Sequence, residues 1–249
     1  MIVNLINRVI GITGYSVSKK KIDTDLVDIE SDRAFMRLYD QCRPYTMTSM
    51  ERLYSLYQSV IYILDHNIPG DFVECGVWKG GSSMMMALTL LQRNATDRSI
   101  FLYDTFEGMS APTENDITFS GQDAEKLLQS QEKDDDHSIW CYSPLENVQG
   151  NLKSTGYPSE KLFFIKGKVE ITLHQNLPAE ISLLRLDTDW YESTKIELEM
   201  LYPLLKKGGV LIIDDFGHWE GAKKAVLEYF KEKMPILHRI DNTGRITIK

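Results

Sequence analysis

Five short apolar runs, "GDFVECG" (70–76), "SIFLYD" (99–104), "KLFFIKG" (161–167), "ISLLRLD" (181–187) and "GGVLIID" (208–214), are separated by segments of helical character. This alternation constrains the fold more than any other feature of the chain. Parallel strands need crossovers of a dozen or more residues, usually helical, whereas antiparallel strands need only a tight turn. Runs that are apolar throughout, rather than at every second position, read as strands buried on both faces. The expectation is an α/β fold: a mostly parallel sheet with helices on both faces. "PILHRID" and "RITIK", joined by "DNTG", predict a closing antiparallel hairpin with its turn at Asn242–Gly244.

Ahead of the first strand, residues 27–41 and 47–66 carry apolar side chains at helical spacing, as in Met50, Leu53, Tyr54, Leu56, Tyr57 and Val60. Thr48 or Ser49 is placed to cap the second helix, and Glu51 suits its first turn. The chain therefore divides into an N-terminal helical extension, residues 1–66, and a main domain, residues 67–249. Residues 105–142 are polar and irregular, an insertion placed to act as a lid. Within it, Asp134–Asp136 and His137 read as a solvated charge run. After it, Ser143 is expected to cap a helix with Pro144 at its first position and Glu146 at the capping-box position.

The opening "MIVNLINRVIGITGYSVSKKK" has its basic cluster after the apolar stretch, the reverse of a secretory signal. It reads as an amphipathic helix docking on a second subunit, in preference to a membrane-surface helix, which only Lys19–Lys21 would favour. No uninterrupted apolar stretch is long enough for a membrane span. A net charge of −8 argues against a broad nucleic-acid-binding surface. The three cysteines, Cys42, Cys75 and Cys141, show no zinc or disulfide spacing, so a reducing, cytoplasmic setting is expected.

Two of the apolar runs end abruptly in acids. "LLRLDTDWYEST" places Asp187 and Asp189 at the end of one, and "GGVLIIDDFGH" places Asp214 and Asp215 at the end of another. Carboxylates gathered at the carboxyl edge of an α/β sheet suggest a cation or a proton-transfer role, because that edge is where such sheets bind ligands. Glu192 reads instead as first-turn helix charge. His218, Trp190, Trp219 and Tyr191 suit packing at the site mouth as well as contact with a substrate.

In "DFVECGVWKGGSS", Glu74, Gly76, Gly80 and Gly81 span the turn from the first strand into the next helix. Glycines there allow close backbone approach to a ligand, although a tight turn alone would also use them. The spacing is not the dinucleotide GxGxxG. Asp104 ends the second strand, where an acid commonly accepts hydrogen bonds from ribose hydroxyls. Gly167 and Lys168 are expected beside the same crevice.

"CRPYTMTSMERLY", "GDFVECGVWKGGSSMMMALTL", "LYDTFEGM", "LRLDTDWYEST" and "GGVLIIDDF" together resemble the TylF/MycF family of S-adenosylmethionine-dependent sugar O-methyltransferases, the macrocin O-methyltransferase group, over about residues 35–235. The resemblance implies the class I methyltransferase fold, Rossmann-like with a mostly parallel seven-stranded sheet and a C-terminal antiparallel hairpin. It also implies Mg²⁺ and a sugar or glycosylated small-molecule acceptor. It places Glu74, Gly76 and Gly80–Ser82 (Gly80, Gly81, Ser82) in the cofactor loop and Asp104 at the ribose position. Asp187, Asp214 and Asp215 fall on the metal ligands and Asp189 on the catalytic base. An all-oxygen ligand set favours Mg²⁺ over zinc. As residues i and i+2 of an extended segment, Asp187 and Asp189 would share a face. A catechol-like or other vicinal diol is the alternative acceptor, and an NAD-dependent oxidoreductase the alternative enzyme. The insertion and the first 30 residues match nothing that fixes the acceptor.

Overall fold

The computed structural model of the chain describes residues 27–133 and 138–249. The opening amphipathic segment and the Asp134–His137 charge run lie outside the described residues. The seven strands are β1 (Asp71–Cys75), β2 (Ile100–Asp104), β3 (Leu162–Lys166), β4 (Ile181–Leu186), β5 (Leu205–Ile213), β6 (His238–Arg239) and β7 (Arg245–Ile248). They form one sheet in the order β3-β2-β1-β4-β5-β7-β6. β1 to β5 pair in parallel, and β7 runs antiparallel to both β5 and β6. The order reverses between β2-β1 and β4, so the carboxyl ends of β1 and β4 flank a topological switch point, where open α/β sheets form their ligand crevice. All five expected parallel strands and the hairpin are present, with β5 extending back to Leu205.

Side chains alternate across each strand, and the two faces build separate cores. Phe72, Ile100, Leu102 and Val210 face a cluster with Met85 and Met86 of the Gly81–Gln92 helix and with Phe35, Leu53, Leu56 and Val60. The N-terminal helices Arg33–Cys42 and Met50–Asp65 thus share a core with the sheet. Asp32 caps the first, its carboxylate accepting from the Ala34 and Phe35 amides at 3.0 Å, and Ser49 caps the second through Arg52 N at 3.2 Å. On the other face, Val73, Leu184 and Leu211 meet Leu198, Val226 and Phe230 of the helices Tyr191–Leu201 and Glu220–Phe230. Truncating a fully buried side chain in either core, such as Met85 of the first to alanine, costs about 2–5 kcal/mol.

The helix after the insertion begins one residue later than expected. It runs Leu145–Ser154 with Pro144 at its cap and no side-chain cap bond, so Ser143 is not the capping residue. Pro144 takes an extended ψ of 149°, which moves the start past it and leaves Ser143 buried.

The insertion is tied across the carboxyl end of the sheet. Thr118 bridges Trp219, the Trp190 indole Nε1 donates to Ser110 O at 3.0 Å, and buried Asp116 accepts from Tyr191 N at 2.7 Å. Ala124 and Leu128 of its short Ala124–Gln129 helix pack with Trp190 and Trp219. Among the described residues, no helix is long and apolar enough to cross a membrane.

Candidate active site

The turn after β1 is held closed by Asp104. One carboxylate oxygen accepts from the amides of Val77 (2.6 Å) and Trp78 (3.1 Å), the other from Phe106 N at 2.6 Å. Burial raises the Asp104 pKa against the opposing pull of these amides. Gly76 (φ +82°) leaves no room for a side chain: a Cβ would stand 1.9 Å from Asp187 O. Gly80 (φ +91°) starts the Gly81–Gln92 helix, and a Cβ on Gly81 would meet the Tyr45 backbone at 2.7 Å.

Glu74 lies behind the turn, 1% exposed, bonded to Ser83 Oγ and to the Arg185 guanidinium. Arg185, 2% exposed and the last residue but one of β4, binds four groups. Its Nη1 donates to Glu74 Oε1 and Asp187 Oδ2, both at 2.6 Å, and its Nη2 donates to Asp214 Oδ1 at 2.7 Å and Thr48 Oγ1 at 3.0 Å. The second Asp214 oxygen is taken by Arg52 of the Met50–Asp65 helix, whose Nε also pairs with Asp241 Oδ2 at 2.9 Å. Asp187, Asp214 and Asp215 each bring one oxygen within 4.8 Å of the others. Burial pushes the Asp187 carboxyl well above the carboxylate range although Arg185 opposes it. Asp215 is raised too, by burial and then by Asp189 and Asp214.

Asp189 stands against this cluster, and its carboxyl and that of Asp215 perturb each other directly. Burial pushes Asp189 up to about 7. β4 ends at Leu186 and Asp189 has φ +68°, so the two acids do not share a face by strand pleating. A left-handed residue turns Asp189 into the cavity instead, a strained conformation of the kind that collects at functional sites.

One cavity brings together Gly76, Ser82, Asp104, Gly167, Lys168, Asp187, Asp189, Asp214 and Asp215. Glu74, Gly80 and Gly81 are not on its lining. The insertion contributes Gly108, Met109, Ser138, Ile139 and Cys141 to the same lining. His218 and Trp219 reach the lining, while Trp190 is packed beneath and Tyr191 turns away to bond Glu228 at 2.6 Å. Glu192 is in the first turn of its helix. The two arginines and Thr48 are not foreshadowed as site residues. Arg185 carries a signal, a charge inside a run where every other strand residue but Ser182 is apolar. Arg52 carries none, because a basic residue on an amphipathic helix is ordinary.

The donors fit a hard divalent cation: three carboxylates whose oxygens lie within 4.8 Å of one another, with no histidine or cysteine among them.

The macrocin O-methyltransferase (TylF) family matches residues 16–247. An 8-demethyl-8-(2,3-dimethoxy-alpha-L-rhamnosyl)-tetracenomycin-C 4'-O-methyltransferase of Streptomyces olivaceus is 35% identical over 203 residues, 80% of this chain and 74% of that protein. A mycinamicin III 3''-O-methyltransferase of Micromonospora griseorubida is 31% identical over 185 residues, 74% of this chain and 70% of that one. Among solved structures, the O-methyltransferase NovP superposes with a TM-score of 0.70 at 30% identity, covering 82% of each chain. The sheet order and antiparallel β7 are those of the class I methyltransferase fold. The chain belongs to the macrocin O-methyltransferase family and is an S-adenosylmethionine-dependent O-methyltransferase.

Proposed function

We propose that the chain methylates a hydroxyl of a sugar on a glycosylated small molecule, with Mg²⁺ held by Asp187, Asp214 and Asp215 and with Asp189 as the base. The observation that carries this reading is the convergence of four carboxylates on the cavity that also contains Gly76 of the turn after β1 and Asp104. A relative named for a rhamnosyl-bearing acceptor supports a sugar hydroxyl.

S-adenosylmethionine supplies an electrophilic methyl on a sulfonium, and a divalent cation supplies a Lewis acid that makes a hydroxyl more acidic. The residues do the rest. Gly76, Ser82, Gly167 and Lys168 line the cofactor side, and Asp104 offers carboxylate lone pairs to a ribose while it clamps the turn. Gly80 and Gly81 serve by letting the helix start and its packing on Tyr45 form, and Glu74 by fixing Arg185. Arg185 and Arg52 hold Asp214 from both sides. A carboxyl titrating near neutrality suits Asp189 to take the acceptor proton as the C–O bond forms and the sulfur keeps its electron pair, an effect worth about 10²–10⁴-fold. Met109 and Ile139 of the insertion shield that step from water.

The test is transfer of labelled methyl from S-adenosylmethionine to a panel of rhamnosides and catechols, with Mg²⁺ and with chelator. Labelled glycoside formed only with the cation is the expected result. Labelled catechol alone would move the reading to a non-sugar diol, and equal transfer under chelator would remove the metal.

A further inference from the structure

We propose that Glu197, acting through Thr188, is a positioning residue for the Asp187–Asp189 loop. The inference rests on the roles given to Asp187 and Asp189 under Proposed function and concerns what holds them in place. Thr188 is the residue between the two acids. Its hydroxyl donates to Glu197 Oε1 at 2.9 Å, and its carbonyl accepts from Trp190 N at 2.8 Å and Ser193 Oγ at 3.4 Å. The loop is thus fixed at its middle residue, which lines the cavity, by the Glu197 carboxyl, which does not. Asp187 N donates to Cys75 O at 2.8 Å, which ties the start of the same loop to the end of β1.

Glu197 is a costly residue for this place. It is 0% exposed on the Tyr191–Leu201 helix, and its Oε2 has no nitrogen or oxygen partner. Burial drives its carboxyl well above the carboxylate range, and the acidic Glu170 and Asp215 push it the same way. Burial thus favours its protonated form, and the Cys75 thiol lies beside it. A leucine would fill the same space without burying a polar group. What the carboxyl adds is the one acceptor that the Thr188 hydroxyl meets, directly behind a residue held at φ +68°. Groups that orient ligating or reacting side chains from behind act in this way.

The experiment uses full-length protein with S-adenosylhomocysteine and reads two quantities that need no acceptor. The first is hydrogen exchange at the amides of Asp187, Trp190 and Tyr191, and the second is calorimetric binding of Mn²⁺. Thr188→Val, isosteric and lacking only the donor, is expected to speed exchange in this loop, leave the rest of the sheet unchanged and weaken Mn²⁺ about 10- to 100-fold. Glu197→Leu should do the same, and the double variant should be no worse than either single one, because the two share one interaction. Glu197→Gln, which matches the neutral acid, should restore wild-type behaviour. Wild-type exchange and Mn²⁺ affinity in Thr188→Val would overturn the proposal, as would additive effects in the double variant. If Glu197→Leu fails to fold, Thr188→Val still decides. Faster loop exchange in Thr188→Val in a protein whose wild type binds no Mn²⁺ would support the positioning role and defeat only the cation.

Discussion

Replacing Arg185 by methionine removes the one cation that touches Glu74, Asp187 and Asp214 together. Three charge-assisted bonds of 2.6–2.7 Å disappear, and Glu74 and Asp214 are left 1% and 2% exposed. Stripping the partner from a buried ion pair costs about 3–5 kcal/mol, because the remaining charge cannot be solvated. For a chain of this size that is about 6–20 °C in Tm. Asp214 keeps Arg52, and Glu74 keeps Ser83, so the low end of the range applies if either residue rearranges. The sign of the pH dependence follows. Burial already raises Glu74, and without Arg185 its folded-state pKa rises further above the unfolded value. The folded protein then binds protons that the unfolded chain does not, so stability falls as pH rises between those two values. Urea melts of Arg185→Met should therefore show a larger loss at pH 8 than at pH 5. A loss below about 1 kcal/mol at pH 8, the scale of a surface pair, or a loss independent of pH, would refute the electrostatic account of the β4 charge.

Other expectations follow from the same geometry. Asp189 is raised to about 7 by burial, so its basic form dominates above that pH, and kcat/KM should rise with pH through this region. Added Mg²⁺ favours the carboxylate and should move the limb to lower pH; a limb fixed across Mg²⁺ concentrations would separate Asp189 from the cation. Gly76→Ala places a methyl 1.9 Å from Asp187 O at φ +82° and should lower Tm and abolish S-adenosylhomocysteine binding by calorimetry. Gly80→Ala is strained by its φ of +91° as well, but its methyl meets only side chains, Leu152 at 2.7 Å and Val148 at 3.4 Å, so its effect in the same assays should be smaller.

The sheet was legible because buried parallel strands leave uninterrupted apolar runs, and the hairpin because Asp241–Gly244 leaves a tight turn. Asp187, Asp214 and Asp215 stood out as acids closing those runs. The turn glycines were legible as a group, but pattern alone does not separate a glycine that approaches a ligand from one that, like Gly81, fits against the Tyr45 backbone. The Arg52–Asp214 pair joins residues 162 positions apart and leaves no periodic trace. Asp189 escaped the strand argument because β4 stops at Leu186 and a positive φ redirects the chain. Glu197 was hidden for a related reason: on a helix whose other positions include Glu192 and Glu199, one more acid looks solvated until packing shows which face it takes.

The central claim is that the carboxylates at the ends of β4 and β5 hold a divalent cation. It is tested most directly by calorimetric titration of Mg²⁺ into the wild type and Asp215→Asn, each bound to S-adenosylhomocysteine. Asp215→Asn is chosen because it keeps the shape of the site and breaks no arginine pair. Saturable heat in the wild type and its loss in the variant is the predicted result. Equal heat in both proteins, or none in a folded wild type, would contradict it.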